Sequence, residues 1–173
     1  IKHVLEKNQV SVCWEVVNHS DETMYFTIGG HPAFNVPANG NNDKKEDYLL
    51  TFNGEKSLTY LLLDPASGTA LPDQTKTLEL TDGTCHIDAH MFDNDALIFD
   101  NQIEKAGIAF PDGTPYLELT CHRFPNFGIW SVPGSSFVCL EPWMGRCDDC
   151  GFKNDLSEKS NINALNTDEI FNA

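Results

Sequence analysis

Val10, Val12, Trp14 and Val16 alternate with Ser11, Cys13 and Glu15, the period of a strand that buries one face. Short apolar runs follow at Met24–Ile28, Tyr48–Phe52, Leu58–Leu63, Thr77–Leu80 and Ala96–Phe99. The series continues with Gly107–Phe110, Tyr116–Cys121, Phe127–Val132 and Phe137–Leu140, and the runs are bounded by Gly, Asn, Asp or Pro. Pro111-Asp112-Gly113-Thr114 is a strong turn signal between two of them. Only Asp88–Phe92 and a few residues near Leu156 offer a turn of helix, and no stretch carries a long apolar period of 3.6. The pattern predicts an all-β chain, folded as an antiparallel sandwich or barrel. Asn39–Asp47 reads as a polar surface loop rather than a boundary, so residues 1–173 are expected to form a single domain.

Length and composition narrow the function. The 173 residues suffice for one sizeable core, and 40% hydrophobic with 21% charged residues is the balance of a globular protein. A formal net charge of -15 disfavours nucleic acid and anionic membrane surfaces as partners and favours a neutral or weakly charged ligand. No apolar run approaches the roughly 20 residues of a membrane span, and no signal peptide is evident, so a cytoplasmic protein is expected. The six cysteines (Cys13, Cys85, Cys121, Cys139, Cys147, Cys150) are accordingly expected to be reduced. Cys13, Cys121 and Cys139 lie in strand-like runs, where a thiol acts as a small hydrophobe. Ile1 with a strand pattern already running by Val10 suggests a chain that begins inside a fold.

Two distant stretches carry candidate chemistry. His31 follows Gly29-Gly30 and precedes Pro32, which pushes it towards extended backbone. Read locally, it either caps a strand end or serves as a proton-transfer group. Glu141 ends the run Phe137-Val138-Cys139-Leu140 and is followed by Pro142 and Trp143. Partial burial there would raise its pKa, as suits a general base, whereas a strand-end glutamate facing solvent is the plainer reading. Trp143 supplies a flat apolar face, for the core or for a ligand. Cys147-Asp148-Asp149-Cys150 has C-x-x-C spacing without the second ligand pair of a structural zinc site. His86, Asp88 and His90 would share one face of a strand and could make a metal triad, but their Asp-rich, loop-like setting favours a solvated surface.

Taken together, Gly29–Pro37 and Val138–Cys150 resemble the aldose 1-epimerase (galactose mutarotase-like) family, in particular its LacX-like branch. Asn94–Phe99, the strand into Asn18–Tyr25 and the tail Leu156–Leu165 extend the likeness over nearly the whole chain in consistent order. The resemblance implies a large antiparallel β-sandwich with an open sugar-binding cleft. It implies interconversion of the α and β anomers of a hexose or hexose phosphate, with Glu141 as base, His31 as acid and Asp95 hydrogen-bonding a sugar hydroxyl. Trp143 is the expected platform for the sugar. No metal or organic cofactor is implied, the expected partner is a small-molecule sugar, and no oligomeric state is indicated. A non-catalytic carbohydrate-binding or sugar-sensing domain is the alternative. The family's sandwich begins before the segment matching Ile1, and that earlier part carries a substrate-binding arginine and a second histidine. His3 and His19 do not replace them. Residues 1–173 are therefore expected to be the C-terminal portion of a longer mutarotase-like domain, with exposed sheet edges on the N-terminal side.

Overall fold

A computed structural model describes residues 1–38 and 42–173. Positions 39–41 of the expected polar loop lie outside the described residues; the remainder of that loop contains a 3-10 turn at Lys45–Asp47.

The strands are β1 (Lys2–Glu6), β2 (Gln9–Cys13), β3 (Glu15–Val17), β4 (Met24–Phe26), β5 (Ile28–Gly29), β6 (Ala33–Asn35), β7 (Leu49–Phe52), β8 (Ser57–Leu63) and β9 (Ala70–Glu79). They continue with β10 (Thr84–His86), β11 (Leu97–Asp100), β12 (Lys105–Ala109), β13 (Pro115–Thr120), β14 (Asn126–Trp130), β15 (Phe137–Met144), β16 (Asn163–Leu165) and β17 (Ile170–Asn172). The antiparallel, nearly all-β architecture read from the sequence is the one observed. Two sheets dominate. One runs β10-β7-β12-β13, and the other β5-β15-β14-β11-β8-β9, with β6 also paired to β15. Among the described residues no helix is long and apolar enough to cross a membrane.

Alternation along each strand explains why the two sheets pack. On β15, Val138 and Leu140 turn inward and join Phe127 and Ile129 of β14, Leu97 and Phe99 of β11, and Leu50, Ile108 and Tyr48 of the other layer. Fully burying each such side chain stabilises the fold by roughly 1.5–3 kcal/mol. The alternate residues of β15 leave the sheet on its opposite face, where a smaller cluster of Leu61, Ala70 and Ile98 packs with Trp143 and Cys147. That outer face is the floor of the candidate site.

Several elements depart from the sequence reading. The Val10–Val16 strand is instead the end of an exposed β1–β2 hairpin followed by β3, and its apolar residues Val10 and Val12 are exposed. Lys7 takes φ 54°, which lets a two-residue turn join the hairpin's Glu6↔Gln9 pair. Met24–Ile28 divides between β4 and β5, which belong to different sheets. Asp88–Phe92 is no helix turn: Met91 N–H donates to Asp88 O and Asp93 N–H to His90 O in successive tight turns. Strands β16 and β17, which pair with β4 and β3, extend the fold beyond the last predicted strand.

Candidate active site

Strand register brings the histidine to the glutamate. Trp143 pairs with Gly29 and Cys139 with Ala33. The same register carried between them sets His31 opposite Glu141. Ladder pairing lapses at this point, where Gly30 N–H donates to Pro142 O (3.0 Å) and Leu140 N–H to Pro32 O (3.3 Å). Pro142 is tolerated in the middle of β15 because the ladder to β5 and β6 lapses on this side, so its missing N–H breaks no regular ladder bond. Glu141 is thus a mid-strand residue rather than the strand-end residue read from the sequence, since β15 continues to Met144.

His31 Nε2 lies 3.4 Å from Glu141 Oε2, with the imidazole side chain 61% exposed and the carboxylate side chain 4% exposed. The Trp130 ring stands edge-on to the imidazole, with centroids 6.0 Å apart. Both groups line a cleft of about 300 Å³ together with Leu63, Asp95, Ile98, Trp143 and Cys147. The four site residues expected from the resemblance, His31, Glu141, Asp95 and Trp143, therefore share one hollow. A larger hollow of about 420 Å³ beside Phe52, Gln102 and Arg123 contains no comparable imidazole–carboxylate contact.

Burial raises the Glu141 carboxyl from its ordinary 4.5 to about 7; a hydrogen bond from the Trp143 side chain opposes the rise and the negative charge of Asp95 adds to it. Near neutral pH such a group can both accept a proton and return it. Asp95 is exposed at the cleft, takes φ 75°, and its Oδ1 accepts the Ala96 N–H at 2.8 Å. A non-glycine residue held in that left-handed region is uncommon, and such positions concentrate at functional sites.

Two further side chains belong to this face. Trp130 fell inside the predicted strand Phe127–Val132, and nothing but its alternation with core residues pointed to the cleft. Cys139 was read as a small hydrophobe, yet it stands two residues before Glu141 on one strand, so both leave the same face. His86, Asp88 and His90 do not assemble as a triad. Only His86 is in a strand, while His90 Nδ1 pairs with Asp93 Oδ2 at 2.8 Å. Cys147 and Cys150 are free, as are the other four cysteines.

No family model matches the chain. Protein LacX of Lactococcus lactis subsp. lactis, in its plasmid and chromosomal forms, is 29% identical over 166 residues, covering 94% of this chain and 55% of LacX. The chain thus spans about half the length of the curated relatives it matches. The galactose mutarotase related enzyme from Lactobacillus acidophilus superposes with a TM-score of 0.87 at 28% identity, covering 99% of this chain and 57% of that one. A galactose mutarotase-like protein from Lactobacillus casei ATCC 334 shares the fold, with a TM-score of 0.77 at 22% identity over 98% of this chain and 58% of its own. With the shared β fold, the likeness to LacX and to the Lactobacillus acidophilus protein supports a relation to a LacX-like, galactose mutarotase-related family.

Proposed function

We propose that this chain carries the acid–base pair of an aldose 1-epimerase, acting on a hexose or hexose phosphate. The observation that carries the reading is the 3.4 Å approach of His31 to Glu141 on the floor of a cleft. The two oxygens that exchange protons in a cyclic hemiacetal are bonded to the same carbon. An acid and a base that serve both must therefore stand side by side.

Glu141 takes the proton of the anomeric hydroxyl while His31, in its protonated form, gives one to the ring oxygen. The bond between the anomeric carbon and the ring oxygen breaks, leaving an open-chain aldehyde. Rotation about C1–C2 presents the other carbonyl face; reclosure then forms the ring bond again, and each proton returns to its donor. Asp95 accepts a hydrogen bond from a sugar hydroxyl, and the Trp143 ring offers an apolar surface to the sugar's C–H face. The free thiols suit a reducing, cytoplasmic setting.

Polarimetry of freshly dissolved α-galactose and α-glucose tests the reading. Glu141→Gln is expected to slow interconversion by ~10²–10⁴-fold. Equal rates for the two proteins would remove Glu141 from the reaction. Saturable sugar binding without interconversion above the buffer rate would identify a binding domain instead.

A further inference from the structure

Cys139 has no part in the proton transfers above, yet its thiol shares their location. An imidazole nitrogen of His31, Cys139 Sγ and a carboxylate oxygen of Glu141 all lie within 4.8 Å of one another. Cys139 and Glu141 are both buried and are fixed by the β15 ladder on β14. His31 is on the accessible side, with its side chain 61% exposed.

The donor set is selective. Nitrogen, sulfur and carboxylate oxygen together suit a borderline-soft ion such as Zn²⁺, Co²⁺ or Cd²⁺, and a thiol is a poor ligand for Mg²⁺ or Ca²⁺. Ligand–metal distances of about 2.0–2.3 Å in a tetrahedral site put neighbouring donor atoms about 3.3–3.8 Å apart. The His31–Glu141 separation of 3.4 Å already falls in that range, and the other donor separations, at most 4.8 Å, need a contraction of about 1 Å or slightly more to reach it. Three protein ligands leave a fourth position facing the cleft. Asp95 beside the cleft and the net charge of -15 both favour the approach of a cation.

We propose that His31, Cys139 and Glu141 form a site for one thiophilic divalent cation of the zinc class. The S–H bond of Cys139 breaks as the S–metal bond forms, and the proton passes to solvent. Resting on the acid–base reading, we add that an ion in this site stops mutarotation, because it occupies the lone pairs that His31 and Glu141 need.

Cobalt titration of the chelator-stripped protein decides the question. One equivalent of Co²⁺ should produce a near-ultraviolet thiolate-to-cobalt band, and Zn²⁺ should displace it. Cys139→Ser should abolish the band, whereas Cys147→Ser, which alters a thiol lining the cleft, should keep it. Zn²⁺ affinity by competition with a chromophoric chelator should fall at least about 100-fold in Cys139→Ser, the upper end of what losing a supporting contact does. His31→Gln changes an exposed side chain and provides the same comparison should Cys139→Ser fail to fold. Absence of the band, or its persistence without Cys139, overturns the site. Zn²⁺ inhibition is read against each variant's own zinc-free rate. A cobalt band in a protein without mutarotase activity would establish the site while removing the acid–base reading. Activity unaffected at saturating Zn²⁺ would overturn the exclusion.

Discussion

The Trp143 indole lies across Gly128 so closely that a Cβ built at Gly128 would come within 2.3 Å of the ring's Cη2. Gly128 is the β14 partner of Glu141, so the bare backbone on one side of the carboxylate is what lets the ring lie there. Gly29, the β5 partner of Trp143, is nearly as close, with a Cβ there 2.6 Å from Trp143 Cδ1. Gly128→Ala must therefore displace the indole. We expect a loss of about 1–3 kcal/mol in stability from overpacking, together with weaker sugar binding, read by denaturant titration and by quenching of tryptophan fluorescence with sugar. Unchanged fluorescence and affinity in the variant would separate Trp143 from the ligand.

Burial of Glu141 makes it a liability for folding at alkaline pH. Its carboxyl is raised from 4.5 to about 7 in the folded chain, so the fold favours the protonated form. Below about pH 4.5 both states hold the proton and nothing is lost. Between about pH 4.5 and 7 the unfolded chain ionises this carboxyl while the folded chain keeps its proton, so at about 1.4 kcal/mol per unit the loss grows to about 3 kcal/mol and levels off above 7. Glu141→Gln is neutral throughout. Its stability relative to the parent should rise between about pH 5 and pH 8 and then level off, followed by urea unfolding at several pH values. A constant difference across that window would show that the carboxyl does not titrate there. The same variant is the one expected to lose mutarotation, so activity and stability should move in opposite directions.

The charge of Asp95 is one cause of the raised Glu141 pKa. Mutarotation by the parent should fall as pH drops through about 7, because the base becomes protonated. In Asp95→Asn that acid limb should move to lower pH, since removing a neighbouring negative charge favours the ionised carboxylate. The rate of Asp95→Asn should also fall at every pH through the lost hydroxyl contact. A polarimetric pH–rate profile distinguishes the two effects: a lower rate with an unmoved limb would mean that Asp95 acts on the sugar without setting the pKa of Glu141.

How far the sequence reached depends on which forces were local. The central strands were legible because β14 and β15 alternate between a deep core and a cleft, leaving Val138 and Leu140 as unbroken apolar signals. His31 and Glu141 stood out for the same reason, as polar side chains within runs that otherwise avoid them. Strand β1 was not legible, and β2, although read as a strand, lacks the buried face expected of it, since the hairpin's residues are almost wholly exposed. Strands β16 and β17 are three residues each and exist through pairing with β4 and β3 nearly the whole chain away. Cys139 was hidden by its chemistry, since a thiol fits a core and a site equally well. At His86, Asp88 and His90 the exposed side chains agree with the solvated surface favoured from the sequence, and the metal-triad alternative assumed a strand where Asp88 Oδ1 accepts the His90 N–H at 2.8 Å and turns the chain.

Arg146 fixes the loop that closes one end of the cleft. Its side chain is 7% exposed, and Nε donates to both carboxylate oxygens of Asp100 at 3.2 Å while Nη1 donates to Asp149 Oδ1 at 2.7 Å. Nη1 also donates to the Cys147 carbonyl at 3.1 Å, and Asn126 links Asp100 to the Gly145 N–H. Cys147, a lining residue of the cleft, is held from both sides by this network. Arg146→Met keeps the packing volume but leaves two carboxylates unpaired. Both are about a third exposed, so the expected loss is about 1–3 kcal/mol, below that of a fully buried pair. Arg146→Lys should recover little, because an ammonium cannot span two carboxylates and a carbonyl as the guanidinium does. Hydrogen exchange should quicken at the Cys150 amide, which donates to Ala70 O at 2.7 Å, while the amides of β14 and β15 keep their protection. Uniform loss of protection across the sheet would show instead that Arg146 supports the whole fold rather than this loop.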